Sequence, residues 1–217
     1  MTSMVGGIPF HEFLIVHAAP IEGYGLEDLG VQSIGVGKVA SAVHCAELIR
    51  SRENVRAVLL FGVAGAFPAR HRDSEAPVGI SDLVVVSHDQ LGDEGVATPD
   101  GFLDLGAMQL GDCGPFAADP RMARDAVARL AAPLVHGVTV SSCSGTDASS
   151  QIMRQRSGAD IETMEGAAVA FVCRQLEVPL LHVRAISNWT GDRDCGEWSL
   201  GSAVDVVQAA VRGLMQP

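Results

Sequence analysis

Twelve residues near the C-terminal end, V-R-A-I-S-N-W-T-G-D-R-D (Val183 to Asp194), run from an apolar strand into a cluster of hydrogen-bonding groups: Ser187, Asn188, Asp192, Arg193 and Asp194. Ligands of open α/β sheets bind at the carboxyl ends of strands, so a side chain that recognises a heterocyclic base belongs at such a place. Upstream, E-T-M-E-G-A-A (Glu162 to Ala168) brings two carboxylates to the start of a predicted helix. A carboxylate there could accept two hydrogen bonds from the adjacent hydroxyls of a ribose. The competing reading is an ordinary helix start, where acids meet the positive end of the helix. Together the two segments point to chemistry on a purine nucleoside.

Other segments carry weaker signals. Glu22 is a lone acid in the loop A-A-P-I-E-G-Y-G, and by itself reads as solvated; its interest depends on convergence with the other segments. G-V-A-G-A-F (Gly62 to Phe67) has glycines and alanines after a buried strand, which suits close approach of a ligand and suits close helix–strand packing equally well. G-V-G-K-V-A (Gly35 to Ala40) has the spacing of a dinucleotide fingerprint, but the next strand ends Leu60-Phe61-Gly62 without the acid such a site needs, so a structural turn is expected. The seven histidines are scattered with no metal-ligand spacing; His17 and His182 fall within strands and read as core residues with a bonded nitrogen. No metal site and no cofactor is expected.

These residues need elements to hold them. Apolar runs predict strands at Phe13–His17, Val31–Val36, Ala57–Phe61, Leu83–Ser87, Gly137–Ser142 and Leu180–Ser187. Helical spacing predicts helices from near Val39, over Arg121–Ala131 behind the cap Asp119-Pro120, in a short piece ending near Gly158, from Met164 or Glu165 to Leu176, and over Ala203–Leu214. The Gly-, Asp- and Pro-rich stretch from His88 to Pro120 predicts a long excursion with little regular structure, of functional or interfacial use. Strands alternating with helices, with no linker and no repeat, predict a single-domain, three-layer α/β/α fold around a mainly parallel, mixed sheet spanning residues 1–217.

Composition narrows the partners. The chain has 217 residues, a formal net charge of −11 and a lone lysine, Lys38, so nucleic acid and anionic membranes are disfavoured while a small nucleoside is not. The five cysteines are dispersed, which predicts reduced thiols, mostly buried. No apolar run reaches the ~20 residues of a membrane span and the start does not read as a signal peptide, so a cytoplasmic protein is expected.

Taken in order, A-A-P-I-E, G-V-G-K-V-A-S-A, F-G-V-A-G-A-F, V-G-I-S-D-L-V-V-V-S, E-T-M-E-G-A-A-V-A and V-R-A-I-S-N resemble the nucleoside phosphorylase and methylthioadenosine/adenosylhomocysteine nucleosidase superfamily over nearly the whole chain. S-N-W-T-G-D-R-D and S-G-T-D (Ser144 to Asp147) move the resemblance toward its futalosine hydrolases. That resemblance implies hydrolysis of a nucleoside that releases hypoxanthine, within the futalosine route to menaquinone. It implies that Glu22 activates water, that Glu165 holds the ribose with Met164 packed on the sugar, and that Asn188 faces the base. It also assigns Val63, Ala64 and Gly65 to the backbone lining the site, and Cys143, Ser144, Gly145 and Thr146 to the loop against the base. Asn188 stands where nucleosidases acting on adenine nucleosides carry Asp. An amide can donate to O6 and N7 of a 6-oxopurine but cannot pass a proton to N7. The arginines with which the superfamily's phosphorylases hold phosphate are missing from Ala18–Gly25 and from before Gly62. Water is therefore the expected nucleophile, with Arg193 and Arg184 as candidates for a carboxyphenyl tail, Arg184 within its strand reading equally well as structural. The superfamily also implies a homo-oligomer, a dimer or tetramer. The rival readings are a methylthioadenosine/adenosylhomocysteine nucleosidase, a purine nucleoside phosphorylase and a silent nucleotide-binding module.

Overall fold

The computed structural model describes residues 3–68, 78–192 and 199–216. In chain order the strands are β1 (Met4–Val5), β2 (Ile8–Pro9), β3 (Phe13–His17), β4 (Gln32–Ser33), β5 (Ala57–Ala66), β6 (Leu83–Leu91), β7 (Gly95–Thr98), β8 (Gly101–Asp104), β9 (Phe116–Ala117), β10 (Leu134–Thr139), β11 (Ile161–Thr163) and β12 (Leu180–Trp189). The helices are α1 (Pro20–Gly23), α2 (Lys38–Arg50), α3 (Pro120–Leu130), α4 (Asp147–Ser157), α5 (Gly166–Gln175) and α6 (Leu200–Met215).

Side-chain alternation along the central strands builds the layers. Ile15, Leu59, Phe61, Leu181 and Val183 face one way and pack with Met122 and Ala126 of α3 and Val207, Val211 and Leu214 of α6. Leu14, Val16, Val58, Leu60 and Leu180 face the other way and pack with Cys45 of α2 and Val169, Ala170 and Cys173 of α5. Both faces are therefore covered, and the central strands are largely apolar, broken on β12 by the buried His182 and Arg184. Asp119 caps α3 as its sequence predicts: the carboxylate accepts from the Arg121 and Met122 amides at 2.9 Å each.

The main sheet runs β11-β10-β6-β12-β5-β3-β4, with β9 beside β6. It is mixed: β5 is parallel to β3 and β12, whereas β12 and β6 are antiparallel. One further pairing changes its shape. β11 is parallel to β10 and also antiparallel to the end of β5, through Ile161 with Ala66 and Glu162 with Gly65. The five strands β11, β10, β6, β12 and β5 thus close on themselves. Val84, Val86, Ala64, Ala66, Ile161 and Ile186 form a separate buried cluster.

Several boundaries differ from the sequence expectation. G-V-A-G-A, expected to follow a strand ending at Phe61, is the second half of β5, because β11 and β12 supply pairing on both of its edges. Ile161–Thr163, expected to lead into a helix, is β11, and α5 begins only at Gly166. The stretch from His88 contains the end of β6, the hairpin β7–β8 and β9, so it is more ordered than its composition suggests. The strand expected over Val31–Val36 shrinks to Gln32–Ser33. No helix among the described residues is long and apolar enough to cross a membrane.

Candidate functional site

Glu22 lies on the single-turn α1 directly after β3. Its side chain is 2% exposed and folds back onto the backbone. Oε2 accepts from the Ala18 and Ala19 amides at 3.0 and 2.9 Å, and Oε1 accepts from the Val63 amide at 2.9 Å. Three amides thus compensate a buried carboxylate, and the remaining lone pair on Oε1 is left for another donor. A Cβ at Gly62 would lie 2.4 Å from Oε1 of Glu22 and 2.6 Å from Nη1 of Arg184, so glycine is what lets these two groups approach each other.

Arg184 is 1% exposed, on β12. Its Nε donates to His182 Nε2 at 2.8 Å and its Nη1 to the Val63 carbonyl at 3.2 Å. Nη2 lies 3.6 Å from Glu165 Oε2 and has no hydrogen-bond partner. Glu165, 4% exposed at the start of α5, accepts from the Gly37 amide at 3.0 Å through Oε1. Burial pushes its carboxyl above the ordinary range, against the pull of Arg184 and the Gly37 amide; the Glu22 charge adds to the rise. The turn before α2, in which Gly35 and Gly37 have φ of 80° and 91°, therefore aims an amide at a carboxylate. Lys38 in the same turn bonds Asp93 at 2.6 Å and Glu94 at 3.0 Å.

A cavity of about 290 Å³ lies alongside, lined by Gly65, Cys143, Ser144, Gly145, Glu162, Met164, Asn188 and the 189–192 segment. Its wall is a row across three strands: Glu162 on β11 pairs with Gly65 on β5, which pairs with Asn188 on β12. The register of β12 slips at Ser187, and this bulge sets Asn188 opposite Gly65. Adjacent strands lie ~4.8 Å apart, so the Cα atoms of Glu162 and Asn188 are separated by about 10 Å across a floor that has no side chain. Asn188 accepts from Ser187 Oγ at 2.8 Å and donates one amide hydrogen to the Trp189 carbonyl at 2.9 Å, leaving its second. Glu162 accepts from the Ser144 amide at 2.8 Å and from Ser144 Oγ at 2.6 Å. Burial raises its carboxyl above the usual value, and the two Ser144 bonds oppose that rise.

The structure thus brings Glu22, Val63 and Glu165 into one cluster, and Gly65, Cys143, Ser144, Gly145, Met164 and Asn188 around one cavity. Met164 precedes Glu165 and Gly65 follows Val63 by two residues, so the cavity and the cluster are contiguous along two chain segments. Ala64 is buried, and its carbonyl accepts from Ser187 Oγ at 3.2 Å. Thr146 is exposed and caps α4 through the Ser149 amide rather than lining the cavity. Arg193 and Asp194 lie outside the described residues. Arg184 is buried against Glu165, His182 and the Val63 carbonyl instead of reaching outward to a tail. The sequence reading missed Glu162 as a cavity residue; the signal that would have found it is a strand, not a helix, at Ile161–Thr163. No group of His, Cys, Asp and Glu among the described residues could hold a metal ion.

The phosphorylase superfamily profile matches residues 24–215. The futalosine hydrolase of Thermus thermophilus is 33% identical over 186 residues, covering 83% of this chain and 78% of that one. The chain belongs to this superfamily, on its futalosine hydrolase branch. The futalosine hydrolase of Streptomyces coelicolor is 35% identical over 157 residues, covering 71% of this chain and 63% of that one. Among solved structures, a futalosine hydrolase mutant of Helicobacter pylori superposes with a TM-score of 0.75 at 18% identity, covering 93% of this chain and 97% of that one. The 5′-methylthioadenosine/S-adenosylhomocysteine nucleosidase of Neisseria meningitidis gives 0.76 at 20% identity, with the same coverage. At these identities the superpositions establish the α/β fold with its mixed central sheet.

Proposed function

We propose that the chain hydrolyses the N-glycosidic bond of futalosine and releases hypoxanthine. The observation that carries this reading is the Glu162–Gly65–Asn188 row. A 6-oxopurine presents acceptors at O6 and N7 and a donor at N1–H. The free hydrogen of the Asn188 amide suits the acceptors, and the Glu162 carboxylate suits the N1–H. A 6-aminopurine presents a lone pair at N1, which an ionised carboxylate opposes.

The second cluster supplies the rest of the chemistry. The C1′–N9 bond stretches toward an oxocarbenium-like sugar, as in glycoside cleavage. Water held at Glu22 Oε1 attacks C1′ and passes its proton to that carboxylate. The bonding pair leaves with the purine, whose charge spreads over the ring until it takes a proton from solvent. Glu165, ionised, accepts the ribose hydroxyls, and Arg184 Nη2 donates to oxygen in the gap between the two glutamates. The Ala18, Ala19 and Val63 amides are already spent on Glu22, and a carboxylate occupies the place where an anion would need donors. Phosphate is thereby disfavoured as the nucleophile. A place in menaquinone synthesis, a cytoplasmic location and a homo-oligomer go with this reading. The exposed Val36, Val39 and Val43 beside Gly37 offer an apolar face for a second copy.

The test is to offer futalosine, aminofutalosine, methylthioadenosine and inosine, with and without phosphate, and to identify the free base by chromatography. Phosphate-independent hypoxanthine release from futalosine supports the proposal. Adenine release in preference, or a strict requirement for phosphate, refutes it.

A further inference from the structure

Beneath the two glutamates lies a buried polar layer that touches no part of the cavity described above. His182, 1% exposed, sits two residues before Arg184 on the same face of β12. Arginine has no acceptor atoms, so the 2.8 Å contact from Arg184 Nε requires a lone pair on His182 Nε2 and leaves the ring proton on Nδ1. Burial, reinforced by the neighbouring guanidinium, drives the His182 imidazolium well below its ordinary range.

Asp89 is the next member, also 1% exposed. Thr139 Oγ1 donates to its Oδ1 at 2.9 Å, and Thr163 Oγ1 lies 3.4 Å from its Oδ2. The same two hydroxyls receive the first amides of α5: Ala167 N reaches Thr139 Oγ1 at 2.7 Å and Gly166 N reaches Thr163 Oγ1 at 3.2 Å. A Cβ at Gly166 would lie 2.0 Å from Asp89 Oδ2 and 2.6 Å from His182 Cε1. The glycine immediately after Glu165 therefore lets α5 settle directly on Asp89 and His182. Within this layer the buried atom left without a hydrogen-bond partner is Arg184 Nη2.

A buried guanidinium with one unpartnered nitrogen is costly unless something arrives to take that hydrogen bond. Its orientation is fixed by two contacts, Nη1 to the Val63 carbonyl and Nε to His182. We propose that His182 is a positioning residue for the hydrolysis: by accepting from Arg184 Nε it holds the guanidinium so that Nη2 faces the gap between Glu22 and Glu165. This inference rests on the assignment of that gap to the attacking water and sugar. Without the acceptor, the guanidinium keeps one hydrogen bond, at Nη1, and the long 3.6 Å ion pair with Glu165, and it turns about the Nη1 contact so that Nη2 shifts from its place beside the two carboxylates.

The experiment compares His182→Leu, His182→Gln, Arg184→Met and the His182→Leu/Arg184→Met double variant in futalosine hydrolysis, with melting temperatures measured alongside. The Leu variant is expected to lose about 10²-fold in kcat, the scale of one misplaced transition-state donor, with KM within about threefold. The Gln variant, whose carbonyl oxygen accepts from Nε, recovers most of that loss. The double variant falls no further than Arg184→Met, because the histidine acts through the arginine. Should the Leu variant fail to fold, His182→Ala with and without added imidazole asks the same question, and restoration of kcat by imidazole is the expected result. Unchanged kcat in the Leu variant, equal loss in Leu and Gln, multiplicative losses in the double variant, or no response of the Ala variant to imidazole overturns the proposal. Wild-type protein that releases no base defeats the functional assignment instead.

Discussion

Glu162→Gln is the substitution that asks most directly how the base is read. The side chain keeps its size, and Gln can preserve both Ser144 contacts: its carbonyl accepts from the Ser144 amide, and its NH2 donates to the Ser144 hydroxyl with the roles reversed. What changes is the face turned to the ligand. Toward a 6-oxopurine, an ionic acceptor for N1–H becomes a neutral one, a drop from about 1.5–3 kcal/mol to about 0.5–1.5 kcal/mol. Toward a 6-aminopurine, a carboxylate opposing the N1 lone pair becomes an amide that can donate to it, a gain of about 1–2 kcal/mol. Together these shift the ratio of kcat/KM for futalosine over aminofutalosine by about 2–4 kcal/mol, or roughly 30- to 1,000-fold at 1.4 kcal/mol per decade. Hypoxanthine and adenine release, measured separately and in competition, gives the ratio. A pH series adds an internal control. Burial raises the Glu162 carboxyl, so as pH falls through that raised value the protonated acid can itself donate to N1, and the wild-type preference for the 6-oxo substrate narrows. The Gln variant does not titrate and shows no such narrowing. A folded variant with the wild-type ratio at every pH refutes the assignment of Glu162.

Further expectations concern the remaining groups. Glu22→Gln lowers kcat by about 10²–10⁴-fold while futalosine binding persists, as competition with a bound product analogue would reveal. Asn188→Asp raises relative activity on 6-amino nucleosides by tenfold or more, since a carboxyl can accept from the exocyclic amine and donate to N7; base analysis of mixed substrates checks this. Gly62→Ala drives a methyl between Glu22 and Arg184 and lowers kcat by at least 10²-fold, with a crystal structure expected to show one of the two side chains displaced. Burial pushes the Asp89 carboxyl up to about 7 from 3.8, against the Thr139 hydrogen bond and the Arg184 charge. Its folded-state value exceeds its unfolded one, so its contribution to stability is full below about pH 4 and is lost as pH rises through about 7. That rise corresponds to about 4 kcal/mol at about 1.4 kcal/mol per pH unit. Asp89→Asn removes that dependence, and denaturant titrations at pH 5 and pH 8 that stay as far apart as in the wild type would count against it.

The parts legible in the sequence were those written in local patterns. Phe13–His17, the Asp119-Pro120 start of α3 and the Gly158 end of α4 follow from apolar runs and capping chemistry, and they fall where expected. What local patterns could not reveal is pairing between distant segments. Gly62 to Ala66 has Val63 as its one β-branched residue among glycines and alanines, and becomes a strand because two partners meet its edges. Ile161–Thr163 is three residues long, too short for periodicity to register, and Glu162 was consequently assigned to a helix start. Glu22 looked like a solvated acid because its three amide partners come from two separate segments, one of them within the second half of β5. Arg184 lay within an apolar strand and gave no sign of which way it turned, since that is decided by His182 and Val63 together.

The closure through β11 also bears on how the molecule comes together. β11 must meet both β10, which precedes it closely, and the end of β5, which was laid down much earlier in the chain. Bridging distant segments is entropically expensive and tends to come late, after locally connected pieces have condensed. The slot between Glu162 and Asn188 does not exist until that last junction is made. Hypoxanthine affinity during refolding would therefore rise with the final kinetic phase, which makes the free base a reporter of completed assembly rather than of early collapse.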